Sequence, residues 1–130
     1  MFLADTHIWY RWRAAPKKLS DRHVRALNRA ERNNEAVAVS AISLWELAML
    51  AASGKIRVNP PLGAWVEDMA DDPLVSVLPL TPAIAATSVG LTALPGDPAD
   101  RLIAATALCH ELTLLTVDER IINWGGVPVL

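Results

Sequence analysis

One cysteine in 130 residues, Cys109, leaves no partner for an internal disulfide. That scarcity fits a reducing compartment, the cytoplasm, and the surrounding pattern LIAATALCHE predicts a buried, inert thiol rather than a nucleophile. No uncharged apolar run approaches the ~20 residues of a membrane-spanning helix, so no membrane partner is expected. The opening MFLADTHIW lacks the basic start and longer apolar stretch of a secretory signal. Several chemistries lack their residues as well. The only Gly-Lys, in AASGKI, has neither the upstream glycine nor the Ser/Thr of a phosphate-binding loop. No Gly-x-Ser-x-Gly elbow is present for a hydrolase triad. His7, His23 and His110 show no zinc spacing, although His7 stands near Asp5. The lysines, Lys17, Lys18 and Lys55, all fall in the first half. A receiver-type phosphoacceptor domain needs one after a late strand.

What is present points to one domain, residues 1–130, with 52% apolar residues and enough length to bury a core. The net charge is only −2, but eight of the 12 basic residues lie between Arg11 and Arg32. Within SDRHVRALNRAERNNE, residues Arg22, Arg25, Arg29 and Arg32 recur at steps of three and four, so a helix carries them as one stripe. Such a stripe is commonly a solvated face, with Asp21 able to pair with Arg25. The alternative is a track for phosphates or an acidic partner.

Short apolar runs alternate with segments of helical period. The spacing predicts strands at FLA (2–4), AVAV (36–39), VSVL (75–78), LTLLT (112–116) and the closing VPVL. Helices are predicted from THIWYRWR to a break near Pro16, from Ser20 to about Asn34, and over SAISLWELAMLAASGK up to Gly54. After the break VNPPLG, further helices are expected near 62–70, over TPAIAATSVGLTAL and over PADRLIAATALCHEL. Strands interleaved with helices imply an α/β fold, a parallel doubly wound sheet of about five strands with helices on both faces.

Against that layout the carboxylates acquire positions. Asp5 ends the first strand, where open α/β sheets bind their ligands. Glu46 falls in the first turns of the helix after the second strand, Asp97 and Asp100 bracket a later helix start, and Asp118 follows the fourth strand. Each alone is readily a helix cap: Ser43-Leu44-Trp45-Glu46 has capping-box spacing, and Asp97-Pro98 resembles an N-cap with proline at N1. Together they share one sheet edge. Carboxylates converging there repel each other and raise one another's pKa values, a conflict that a divalent cation removes. All-oxygen ligands suit Mg2+ or Mn2+.

FLADTHIW, SAISLWELA, DPADRLIAATA and LTLLTVDERI, in that order and spacing, resemble the PIN domain, specifically the VapC-type toxin ribonucleases of bacterial toxin–antitoxin pairs. The similarity spans Leu3 to the closing VPVL. It implies an endoribonuclease whose acidic cluster is Asp5, Glu46, Asp100 and Asp118, with Asp97 auxiliary, holding one or two Mg2+ or Mn2+ ions. Thr116 matches the hydroxyl residue beside the site, and Thr6 fits the same pattern. His7 and Trp45 receive no catalytic role. Metal-activated water would hydrolyse the phosphodiester without the ribose 2′-hydroxyl, leaving 5′-phosphate ends. The implied partners are an RNA substrate, a cognate antitoxin and a second copy of the chain, and the arginine stripe becomes a candidate contact for RNA or antitoxin. Two other readings stand beside this one: a receiver-like Mg2+-binding signalling domain, and a catalytically silent PIN fold used for binding.

Overall fold

The computed structural model describes residues 1–59 and 61–130, so Pro60 within the expected break VNPPLG lies outside the described residues. Four parallel strands form the sheet: β1 (Phe2–Ala4), β2 (Val37–Ser40), β3 (Val75–Leu78) and β4 (Thr113–Leu115), in the order β3-β2-β1-β4. The helices are α1 (Thr6–Ala14), α2 (Asp21–Arg32), α3 (Ala41–Ala52), α4 (Leu62–Ala70), α5 (Pro82–Gly90), α6 (Pro98–Cys109) and α7 (Glu119–Trp124).

The strands read as unbroken apolar runs because each buries both faces. Side chains alternate across a strand, so adjacent residues enter different cores. Leu3, Ala38 and Leu114 pair across the sheet and pack with Ile103 and Ala107 of α6. Their neighbours Ala4, Val39 and Leu115 pack on the opposite face with Ile8 and Trp9 of α1 and Leu27 of α2. Arg22, Arg25, Arg29 and Arg32 are exposed on the far side of α2, whose inner side buries His23, Ala26, Leu27 and Ala30. The stripe therefore exists as a helix face.

The strand order also locates the ligand edge. From β1 the chain crosses to β2 on one side, and β4 later arrives on the other. The sheet thus changes direction at β1, and a crevice opens beyond the C-terminal ends of β1 and β4.

Four expectations need correction. The closing VPVL is not a fifth strand but a single bridge, Leu114 to Val129. Leu114 N–H donates to the Pro128 carbonyl at 2.9 Å and Leu130 N–H to the Leu114 carbonyl at 3.0 Å. The next parallel bond would need an amide hydrogen that Pro128 lacks. Cys109 is exposed rather than buried, because it ends α6 on the outer side, with Sγ 3.5 Å from Thr87 Oγ1. Ser43 to Glu46 is not a capping box: α3 starts earlier, with Ser40 as its N-cap accepting from Ile42 N–H at 3.2 Å. Finally, α7 forms where the sequence suggested only a passage between strands; its C-cap, Gly125, has φ 70°.

Candidate active site

The crevice is a cleft of about 170 Å³ whose lining includes Asp5, Glu46, Asp97, Asp100 and Asp118. All five carboxylates named from the sequence meet there. A wider groove of about 410 Å³ between α5 and α6 is lined by residues such as Ser88, Val89 and Leu102, with Arg101 its one charged group and no carboxylate. The smaller cleft is where chemistry can concentrate.

Asp5 leaves β1 with its amide still donating to the Leu115 carbonyl at 3.1 Å, so the sheet itself fixes its backbone. Its carboxylate caps α1, with Oδ1 2.9 Å from Ile8 N–H, while Oδ2 accepts from Thr116 Oγ1 at 2.5 Å. Thr116 Oγ1 in turn accepts from Asp118 N–H at 3.0 Å, which commits the hydroxyl proton to Asp5. Thr6 does the corresponding work for Glu46. Its Oγ1 donates to Glu46 Oε1 at 2.6 Å and lies 2.8 Å from Ser43 Oγ. Both threonines therefore orient carboxylates.

Asp97 is the N-cap of α6, accepting from Asp100 N–H at 3.1 Å, and Pro98 occupies the first turn. Asp100 caps nothing. Its Oδ2 lies 3.2 Å from Arg120 Nη2. Asp118 caps α7 by accepting from Arg120 N–H at 2.9 Å, and it also meets the Arg120 side chain, at 3.1 Å from Nε and 2.8 Å from Nη2.

The titration of these groups follows from their surroundings. Burial pushes the Asp5 carboxyl above the ordinary carboxylate range, against the hydrogen bonds from Thr116 and Ile8. Burial also raises Glu46, opposed by Thr6 and reinforced by the charges of Asp100 and Asp97. Asp100 is raised by burial and then by Asp97, with Arg120 pulling the other way. Asp118 is lowered, chiefly by its hydrogen bond from Arg120. Neighbouring carboxylates thus add to the rise at Glu46 and Asp100, where desolvation is the larger cause.

Two cationic groups in the lining, Arg11 and Arg120, have no counterpart in the sequence reading, nor does the Ser43 contact to Thr6. No lysine follows these strands to neutralise the carboxylates; an arginine, Arg120, performs the task. Its only signal was its place two residues after Asp118, which became interpretable once α7 turned the side chain back over the cleft. Arg11 follows His7 by one helical turn, and both line the cleft. None of Arg22, Arg25, Arg29 and Arg32 does. Among the described residues, no three carboxylate, imidazole or thiol groups stand close enough together to close around an ion.

A family model described as "PIN domain" matches residues 2–126. The chain is 42% identical over 120 residues to Ribonuclease VapC22 of Mycobacterium tuberculosis (strain ATCC 25618 / H37Rv), covering 92% of this chain and 88% of that protein. Among solved structures, FitAcB from Neisseria gonorrhoeae superposes with a TM-score of 0.72 at 26% identity, covering 100% of this chain and 96% of that one. VapBC2 from Rickettsia felis, bound to a DNA fragment from its promoter, gives 0.71 at 17% identity, covering 100% and 98%. The latter similarity is one of fold.

Proposed function

The chain belongs to the PIN-domain family, and from that premise we propose that it is an RNA-cleaving hydrolase, the toxin of a toxin–antitoxin pair, working with Mg2+ or Mn2+. The observation that carries the reading is the convergence of Asp5, Glu46, Asp97, Asp100 and Asp118, from four separate segments, in one cleft. A receiver-type reading is set aside by the family match and by a lining whose strong bases are arginines.

The donor set suits a hard divalent cation by its chemistry, although no three of the described groups close around one without drawing together. Its atoms are carboxylate oxygens, and three of the groups are held above their ordinary pKa, a strain that a cation relieves. Asp5, Glu46, Asp100 and Asp118 would hold one or two ions, with Asp97 auxiliary. When bound, such an ion supplies Lewis-acid charge at the scissile phosphate and acidifies a water. The chain's own part is orientation. Thr116 directs Asp5, Thr6 directs Glu46, and Arg11 and Arg120 present positive charge to a phosphate entering between the carboxylates. No 2′-hydroxyl is needed, so the products carry 5′-phosphates.

Purified protein incubated with total RNA is expected to cleave it with Mg2+ or Mn2+ and to stop with a chelator. RNA left intact at every metal concentration would overturn the assignment and leave a silent PIN fold used for binding. The proposal includes the cytoplasm as the site of action and a second copy of the chain as partner, the latter read directly by light scattering. Among the described residues, no helix is long and apolar enough to cross a membrane.

The partners further include an antitoxin, and the exposed stripe Arg22, Arg25, Arg29 and Arg32 is the proposed contact for it or for RNA. Reversing Arg25 and Arg29 to Glu is expected to weaken one of the two at least tenfold at low salt, with melting unchanged, since an exposed face tolerates such changes. Unaltered binding of both would return the stripe to a solvated face.

A further inference from the structure

We propose that Arg120 is an in-chain competitor of the divalent cation: its guanidinium and the ion exchange places on Asp100 and Asp118, and the displaced arginine then meets an RNA phosphate. The inference rests on the metal-site reading above and concerns how that site is filled.

The geometry is specific. One guanidinium makes three contacts with two carboxylates, Nη2 to Asp100 Oδ2 and Asp118 Oδ2, and Nε to Asp118 Oδ1. It joins the start of α6 to the start of α7 by charged hydrogen bonds. Among the described residues, no other basic group forms an ion pair with either carboxylate. Asp5 and Glu46 are held instead by threonine hydroxyls, which a cation leaves in place. The site is therefore divided: half is oriented by neutral donors, and half is neutralised by a removable cation.

Exposure tells which partner moves. The Arg120 side chain is 54% exposed, against 16% for Asp100 and 25% for Asp118. The guanidinium can return to water at little cost, whereas the carboxylates stay inside the cleft. Exposed ion pairs are weak, so the exchange is easy. The turn preceding α6 keeps room for the pair. Gly96 has φ 122°, and a Cβ there would lie 2.5 Å from Asp100 Oδ2 and 3.3 Å from Arg120 Nη1. Once released, the side chain remains at the cleft mouth, tethered by its own backbone N–H to Asp118. A guanidinium freed there suits a phosphate, which it can bind by two parallel hydrogen bonds.

Calorimetric titration with Mn2+ alone tests the exchange. Arg120→Gln is expected to bind Mn2+ about three- to tenfold more tightly than the parent, since weak exposed pairs are being displaced. That advantage should shrink as KCl is raised. With the cation saturating, Arg120→Gln should bind a short single-stranded RNA more weakly, and Arg120→Lys should restore part of that affinity. In the parent itself, the Arg120 Nε–H resonance should move on Mg2+ saturation, a readout that does not depend on any variant folding. A parent that binds the cation, with Arg120→Gln no tighter and the Arg120 resonance unmoved, overturns the exchange alone. Absence of cation binding in every protein overturns the metal site with it.

Discussion

Asp100→Asn is expected to lower metal-dependent RNA cleavage by about a hundredfold or more, and Glu46→Gln to do the same, in proteins that remain folded. Two orders of magnitude correspond to about 2.7 kcal/mol of transition-state stabilisation, within what a metal ion supplies at a phosphoryl oxygen. These two positions discriminate best because neither is a helix cap. Asp97 caps α6 and Ser40 caps α3, which leaves the carboxylates of Asp100 and Glu46 directed to Arg120 and Thr6. Asp5 and Asp118 serve both as caps and as cluster members, yet asparagine caps a helix about as well as aspartate, so Asp5→Asn and Asp118→Asn should also fold and lose cleavage. Asp97→Asn keeps its cap bond to the Asp100 amide and should be the mildest of the set. Parental cleavage in Asp100→Asn and Glu46→Gln, measured on total RNA at saturating Mn2+, would remove the acidic cluster as the site of cleavage.

The cluster was legible because parallel α/β architecture converts sequence position into spatial position. An aspartate after FLA and another after LTLLT must reach the same edge once β1 and β4 pair, and Leu3 opposite Leu114 shows that they do. Patterns of charge and short range were less legible. Ser43 and Glu46 have capping-box spacing, but Ser40 starts the helix and both side chains turn to Thr6 instead. The segment ERIINW is too short for a helical period to stand out, so α7 went unseen, and with it the direction of Arg120. VPVL has strand composition, yet Pro128 removes the donor that a continued ladder requires. Cys109 sits in an apolar helical pattern but at the final residue, where the face that continues the pattern is already outside.

The second large effect concerns stability without metal. Asp5, Glu46 and Asp100 have carboxyl pKa values raised in the folded state, principally by burial. In the window between the unfolded and folded values the native protein holds more protons than the unfolded chain, so stability falls as pH rises. Their contribution is complete below the ordinary carboxyl range and is lost as pH climbs through the raised values. Asp118 has the opposite sign, since Arg120 lowers it, and its contribution disappears only as pH falls through its folded value. Asp5 is the most buried of the four and its charge the hardest to solvate. Asp5→Asn should therefore gain stability relative to the parent as pH rises from about 4 toward neutrality, each unit of pKa elevation being worth about 1.4 kcal/mol. At the acid end the difference should vanish or reverse slightly, because the asparagine amide must replace one acceptor that Thr116 now uses. Subtracting urea midpoints of the two proteins at each pH cancels the groups they share. A difference that stays flat or declines toward neutral pH would show that the buried carboxylate is not strained. Mn2+ should close the gap at neutral pH by stabilising the parent, since the ion binds only the folded chain that keeps Asp5 ionised. A residue that destabilises the empty fold and stabilises the filled one is placed for its ligand; as a cap, asparagine would serve.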